Sequence, residues 1–391
     1  MNFLSRLGLS ETEQRSVKKI SLYSSAACIL IVAVFWAVSF LSLDSTDTGD
    51  AELNSSLPFS KPKLTSLDID AHEFTARRYL RSGRPEQAIP HLQRILIARK
   101  NDRKTLKNLA QAHLECGHFK QALSTFDYLL SENEDSISPF LYARKGAALY
   151  YMKRYEASER TLQTGLELFP DNPEILCFLG QVETSRGIPS PEAENFFLRA
   201  LQSDSTYSEA KYQLARYYEA NEKYLKARRL LLEVLETEPL HVRSHSRLGM
   251  IYYYLGDAEM ALKSYQTALA LNPDDYNTRF NLGELFYTLY NDNRDALREF
   301  TRVLEINPEH TEANFKSGLI CLENGMIKEA IRYFETSLDS DRNDTRKMLQ
   351  LAAAYERLGN RKRALSLYRQ ITGIDPLHTI ASQKVKLLTV K

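Results

Sequence analysis

The sequence predicts an all-α fold in which about nine helical hairpins stack into a solenoid. Small residues recur at a period near 34 from about residue 70 onward, and periods of this length are typical of repeat architectures. The 391 residues include only 15 Gly and 13 Pro, which is few for a chain of many short strands and loops. Hydrophobic residues make up 43% of the chain and charged residues 26%, a balance typical of folded chains.

An uncharged apolar segment lies near the N-terminus, at residues 20–43. As a helix it would be about 36 Å long, enough to cross a hydrocarbon core of about 30 Å. Lys18 and Lys19 directly precede it, and Asp44 and Asp47 follow it. By the positive-inside rule, residues 1–19 are cytoplasmic and the rest lies across the membrane. We therefore expect a single-pass protein of the inner (cytoplasmic) membrane, anchored by a transmembrane helix, with its repeats in the periplasm.

Two features around this segment complete the predicted N-terminal region. A cleaved signal peptide remains an alternative to the anchor, since Ala37-Val38-Ser39 matches a small-x-small cleavage site. Residues 44–69 are rich in Ser, Thr and Asp and show no helical period, which predicts a flexible linker. In a eukaryote the side opposite the cytoplasm would be the secretory lumen or the exterior.

The clearest repeat unit runs from Leu240 to Pro273. It contains the segment LGMIY at residues 248–252, followed by Gly256, Ala261 and Tyr265. This spacing resembles the tetratricopeptide repeat, whose pattern is L-G-x-x-Y followed by A-x-x-x-F and a closing proline. The resemblance implies a right-handed α-solenoid of helix pairs over residues 70–376, in which the first helix of each pair lines an inner groove. Residues 377–391 then read as a C-terminal capping helix.

Small residues are expected where the two helices of each unit cross, because a larger side chain would push the helices apart. The third unit departs from the pattern, with Ser158 where the other units have Ala. The packing positions that we predict in the later units are Gly249, Ala261, Gly283, Ala296, Ala330 and Ala364.

The resemblance also places a set of apolar side chains on the inner groove of the last four units. These residues are Met250, Tyr253, Phe280, Tyr287, Phe315, Leu319, Leu322 and Leu349. They predict a groove that binds an apolar peptide segment or helix of a partner protein. The alternative is that a tightly wound superhelix, or the C-terminal helix of the chain, covers them.

The sequence offers no site for chemistry. It contains no HExxH, P-loop, GxGxxG or GxSxG motif, and its eight His are scattered. The four Cys include no CxxC pair, and the net charge of +1 does not favour nucleic acid. We therefore expect a protein that is not an enzyme and has no cofactor or metal, with an oligomeric state that the sequence leaves open.

The leading functional hypothesis is a membrane-anchored scaffold that binds protein partners in assembly or secretion at a bacterial cell envelope. One alternative is a non-catalytic regulatory subunit that recruits an enzyme modifying envelope polysaccharide or lipid. A second is a co-chaperone-like adaptor on the cytosolic side. Lys104, Lys107 and Arg144 fall near the places of the carboxylate clamp of such adaptors, but Gln111 stands where the clamp has Asn and Phe140 where it has Lys.

Overall fold

The computed structural model describes residues 65–131, 138–187 and 190–389. Within these residues the chain forms nineteen α-helices and no β-strand. In chain order the helices are α1 Ser66–Arg81, α2 Pro85–Ala98, α3 Arg103–Glu115, α4 Phe119–Ser131, α5 Pro139–Tyr151, α6 Tyr155–Leu168, α7 Pro173–Thr184, α8 Pro191–Ser203, α9 Ser208–Ala220, α10 Tyr224–Thr237, α11 Val242–Tyr254, α12 Ala258–Leu271, α13 Tyr276–Thr288, α14 Asn293–Ile306, α15 Thr311–Glu323, α16 Ile327–Leu338, α17 Thr345–Arg357, α18 Arg361–Ile374 and α19 Thr379–Thr389.

The helices pack as nine consecutive hairpins, from α1–α2 to α17–α18, and α19 lies against α18. The all-α solenoid of about nine helix pairs is therefore confirmed. Its right-handed sense stays a prediction. The first helix begins at Ser66, inside the segment 44–69 that we predicted to be a flexible linker. Thr65 and Asp68 form a capping box there, because each side chain accepts a hydrogen bond from the backbone N–H of the other.

Glycines on the first helices receive large side chains from the second helices. A Cβ added to Gly249 would lie 2.4 Å from Cδ1 of Tyr265, and one added to Gly283 would lie 2.6 Å from Cε1 of Phe300. Both rings are almost fully buried. The four predicted packing alanines, Ala261, Ala296, Ala330 and Ala364, are each 0% exposed. The two helices of a hairpin approach closely at these positions because a glycine leaves room for the ring of the other helix and an alanine adds only a methyl group.

Ser158 shows how the third hairpin accommodates its departure from the pattern. The side chain is 0% exposed, and its hydroxyl donates a hydrogen bond to the backbone carbonyl of Gly146 at 2.7 Å. A buried hydroxyl without a partner would be destabilising, and this contact removes that cost. The alanines at the equivalent positions need no such bond, because a methyl group has no hydrogen-bond donor or acceptor.

The turn inside every hairpin uses a left-handed residue. Six of the nine turns place glycine there, for example Gly256 with φ +76°. The other three place Lys153, Glu222 and Asn291 at φ between 52° and 58°. Residues with a Cβ are strained in this region, whereas glycine adopts it freely. Each of the nine turns therefore contains one left-handed residue, and six of them use glycine, the residue suited to that conformation.

None of the helices in the described ranges is long and apolar enough to cross a membrane. The longest of them, α1, has 16 residues, or about 24 Å of helix against a hydrocarbon core of about 30 Å. This finding contradicts the predicted localisation in the inner membrane as a single-pass protein with periplasmic repeats, and we correct that prediction. Residues 1–19 and 20–43, on which it rested, lie outside the described residues.

Candidate functional site

The first helices of neighbouring hairpins come into direct contact, most closely α5 with α7 and α7 with α9. Within the described ranges no two second helices of neighbouring hairpins approach each other as closely. Because the first helices sit closer together, the stack curves toward them. We call the face formed by α3, α5 and the following odd-numbered helices up to α17 the inner surface.

Polar contacts connect equivalent positions of successive first helices across the inner surface. Arg243 Nη2 on α11 lies 2.8 Å from Glu209 Oε2 on α9, and Arg346 Nη2 on α17 lies 3.0 Å from Glu312 Oε1 on α15. In each pair the two residues are 34 positions apart in the chain. Exposed ion pairs contribute at most about 1 kcal/mol each. These ion pairs hold charged side chains at defined positions along the inner surface.

Cations on the inner surface also cover aromatic rings that the sequence predicts to be open to a partner. The guanidinium carbon of Arg346 lies 4.5 Å from the centroid of the Phe315 ring, and Nζ of Lys316 lies 4.9 Å from that of Tyr287. Phe315 is 3% exposed and Leu322 is 6% exposed. These two residues belong to the packed core and leave little side-chain surface for a partner, so their place on the groove stays a prediction. An apolar character of the partner is not supported, because the surface is mixed.

The other six predicted groove residues are partly buried, and each already has packing partners. The Phe280 ring, for example, lies 5.0 Å from His310 and 5.5 Å from Phe300, centroid to centroid. The six residues are Met250, Tyr253, Phe280, Tyr287, Leu319 and Leu349. A role for them in binding a partner stays a prediction.

The C-terminal helix does not run along the inner surface. Instead α19 packs on the last hairpin, where Lys384 Nζ lies 2.8 Å from Glu356 Oε1 and Arg361 Nε donates to the carbonyl of Leu388 at 3.0 Å. This position extends the stack by one helix. Within the described residues, α19 therefore does not provide the covering that we considered as an alternative to an open groove.

A cavity of about 360 Å³ opens on the inner surface where α5, α7 and α9 meet. Arg216 is the only charged side chain that the described residues contribute to its lining. Its Nη1 donates to Oε1 of Gln213 at 3.1 Å. We call this space the Arg216 cavity. Its lining residues are Tyr150, Thr184, Ser185, Gly187, Gln213, Arg216, Tyr217 and Ala220.

A second cavity, of about 320 Å³, lies on the N-terminal side of the first. Arg144 on its wall is held by Glu174, with Nη2 2.8 Å from Oε1. Burial raises the pKa of Glu174 above its ordinary value, and Arg144 opposes that shift. Three of its lining side chains, Phe119, Tyr151 and Phe178, are aromatic. We call this space the Arg144 cavity, and it is lined by Gln111, Leu114, Glu115, Gly117, Phe119, Arg144, Ala147, Tyr151 and Phe178.

Tyr150 and Tyr151 separate the two cavities. Their rings meet edge to face, with centroids 5.4 Å apart and an interplanar angle of 74°. Tyr151 also stacks on Phe119 at 5.4 Å and remains 50% exposed. The Tyr150 hydroxyl lies 3.2 Å from Ser185 Oγ. The pair forms an aromatic ridge between two neighbouring spaces of about 360 and 320 Å³.

Neither cavity belongs to the predicted groove, because that groove covers only the inner-surface positions of the last four units. The same stepping would have reached Tyr150 in the third unit and Arg216 in the fifth. One of the clamp-like residues, Arg144, already has partners within the chain. Arg144 is engaged by Glu174, and its guanidinium carbon lies 5.5 Å from the centroid of Phe140.

The described residues contain no group of three or more His, Cys, Asp or Glu side chains that could hold a metal ion. Cys116, Cys177 and Cys321 are free thiols. Burial raises the pKa of Cys177 far above its usual range, which keeps the thiol protonated and unreactive at neutral pH.

Comparison with known proteins points to one kind of repeat. Four segments match models of tetratricopeptide repeat families, at residues 79–144, 249–289, 291–345 and 348–378. Tetratricopeptide repeat protein 37 of Xenopus laevis is 26% identical and matches 84% of this chain and 24% of its own length. Anaphase-promoting complex subunit 3 of Schizosaccharomyces pombe is 22% identical and matches 81% of this chain and 51% of its own length.

The chain thus spans about a quarter to a half of the length of these two relatives. Among solved structures, the human IFIT1 dimer with m7Gppp-AAAA is similar with a TM-score of 0.50 and 17% identity, covering 80% of this chain and 82% of that one. At this identity the likeness concerns the fold alone. The family matches, the spacing of the small residues and the nine stacked hairpins agree: the chain carries tetratricopeptide repeats.

Proposed function

We propose that the repeat domain is a scaffold that binds an extended segment of a partner protein along its inner surface. The observation that carries the proposal is the pair of neighbouring cavities on α3, α5, α7 and α9, separated by Tyr150 and Tyr151. Successive side chains of an extended peptide alternate in direction and lie a few ångströms apart. Two adjacent spaces divided by a ridge can each receive a side chain of such a ligand, whereas a compact small molecule would occupy only one of them.

The chemistry of the surface supports the same proposal. Rigid aromatic side chains bind partners at low entropic cost, and Tyr and Arg are enriched among residues that dominate binding energy. Tyr151 and Tyr254 are 50% and 55% exposed. The S. pombe relative is named as a subunit of a complex, which favours an assembly role for the repeats.

One substitution can obstruct the inner surface without disturbing the core. Ala220 is exposed and lines the Arg216 cavity at the end of α9, so Ala220→Trp would fill that space. Ala270 is exposed on α12, a second helix, and Ala270→Trp is the matched control. Proteins retained from a lysate of the source cells by each tagged full-length variant would be identified by mass spectrometry.

We expect a defined set of proteins that the wild type and Ala270→Trp retain and Ala220→Trp loses. Circular dichroism should show equal helix content for all three chains. Retention of the same proteins by both variants would refute binding at these cavities. If the wild type retains no protein above background, the scaffold proposal itself fails.

A further inference from the structure

We infer that the Arg216 cavity recognises a carboxylate side chain, Asp or Glu, of the bound segment. This inference rests on the proposed function, because it names the chemistry of the ligand at one of the two cavities. It starts from the distribution of charge around α7, α9 and α11.

The carboxylates near the cavity are already engaged by other cations. Glu183 lies 2.7 Å from Arg186 Nη1, Glu209 lies 2.8 Å from Arg243 Nη2, and Glu219 lies 2.9 Å from Arg247 Nη1. Burial raises the pKa of Glu219; Arg247 opposes that shift most, and Arg216 opposes it to a smaller degree. No carboxylate of the described residues lies within 4 Å of Arg216.

Arg216 is therefore a cation on the inner surface, and only some of its N–H donors have an acceptor among the described residues. The guanidinium carries five N–H donors, and the hydrogen bond to Gln213 uses Nη1. Gln213 is 6% exposed, and its Nε2 donates to Glu209 Oε1 at 2.7 Å. That bond fixes the amide with its oxygen toward Arg216, so a hydrogen bond to a buried side chain orients the exposed guanidinium at the cavity.

The surroundings favour a single carboxylate over a more highly charged group. One guanidinium balances one negative charge, whereas sites for phosphorylated residues generally combine several arginines. The other polar lining side chains carry hydroxyls or an amide and are Tyr150, Thr184, Ser185, Gln213 and Tyr217. An Asp or Glu side chain can accept two parallel hydrogen bonds from Arg216 and place its stem against Tyr217.

The probes are fluorescein-labelled nonapeptides built from Ser and Ala, acetylated and amidated, with one Phe and one Glu separated by one to four residues. Each has a matched peptide with Gln in place of Glu and another with phosphoserine. Phe is included for the aromatic walls of the Arg144 cavity. Fluorescence polarisation gives Kd for the full chain, for Arg216→Gln and for Arg229→Gln. Arg229 lies on α10 of the same hairpin with its side chain 78% exposed, which makes it the matched control.

At one or more spacings the Glu peptide should bind the wild type and Arg229→Gln roughly three- to tenfold more tightly than the Gln peptide. Arg216→Gln should remove that difference, whereas Arg229→Gln should keep it. Higher salt should reduce the preference.

Equal binding of the Glu and Gln peptides by the wild type would overturn the inference, and so would a preference that survives in Arg216→Gln. Tighter binding of the phosphoserine peptides would replace the carboxylate with a phosphate as the ligand. Failure of every peptide to bind would also overturn it, while the comparison of Ala220→Trp with Ala270→Trp would still decide the scaffold function independently.

Discussion

Replacing Gly249 with Ala tests whether the contact between glycine and ring sets the spacing of the hairpin helices. The added Cβ would lie 2.4 Å from Cδ1, 2.5 Å from Cε1 and 2.9 Å from Cγ of Tyr265. Ordinary van der Waals contacts of a Cβ begin at 3.4 Å, so the ring or the helix must move by about 1 Å. Overpacking of this kind costs about 1–3 kcal/mol.

The helix propensity of alanine opposes that cost by up to about 1 kcal/mol, and a control can separate the two effects. Gly373 lies in α18, and a Cβ added there would have no heavy atom within 4 Å. Gly373→Ala should therefore be neutral or stabilising. We expect Gly249→Ala to be about 1–3 kcal/mol less stable than Gly373→Ala in urea unfolding followed by circular dichroism.

A second substitution should relieve the clash. In the fifth unit the equivalent residues are Ala215 and Leu231, both buried. Gly249→Ala combined with Tyr265→Leu recreates that pair, so the double variant should be more stable than the sum of the single effects predicts, by about 0.5–3 kcal/mol. Because repeat arrays often unfold in stages, hydrogen exchange of α11 and α12 should report the same order locally. Equal stability of the two alanine variants, or additive effects in the double variant, would refute the argument.

Four further predictions concern the core, a buried ion pair, a turn and pH. Ala261→Asp puts a carboxylate at a site that is 0% exposed and should cost several kcal/mol, seen as lost exchange protection of the sixth hairpin. Glu299→Ala removes the buried carboxylate that lies 3.1 Å from Nη1 of the partly buried Arg279 and should cost about 1–3 kcal/mol in urea unfolding. Glu222→Gly removes a strained φ of 57° and should raise the stability by about 0.5–1 kcal/mol in the same assay. Burial lowers the pKa of His310 from 6.5, so the unfolded chain binds the proton more readily, and stability should fall as the pH drops from about 7.5 to 5.5. His310→Asn should reduce that loss, since Nδ1 of His310 caps α15 only when it is unprotonated.

Each of these predictions has a clear contrary result. Wild-type exchange rates in Ala261→Asp would mean that the core tolerates a charge at the helix crossing. A small loss in Glu299→Ala would show that Arg279 finds water or another acceptor. A destabilised Glu222→Gly chain would mean that the turn is not strained. An unchanged pH dependence in His310→Asn would assign the effect to other histidines whose pKa burial also lowers, such as His113 and His241.

Much of the fold was predictable from the sequence, because each unit repeats the same contact between its two helices. The regular spacing of the units and the small residues at 249 and 261 imply a hairpin whose helices touch, and the described ranges contain nine such hairpins. The Thr65–Asp68 capping box was also readable. It was overlooked because the preceding Ser-rich and Asp-rich composition suggested a linker.

The surface was harder to predict because it depends on which side chains of neighbouring units meet. Phe315 and Arg346 belong to different repeat units, and only the stacking of α15 and α17 puts the guanidinium over the ring. The Arg216 cavity likewise needs three first helices, with Tyr150 and Arg216 brought to one space. The repeat and its helices follow from the sequence alone, since they depend on contacts inside a single unit. Which residues of the inner surface are covered and which remain open follows only from the folded stack, because that depends on contacts between repeats.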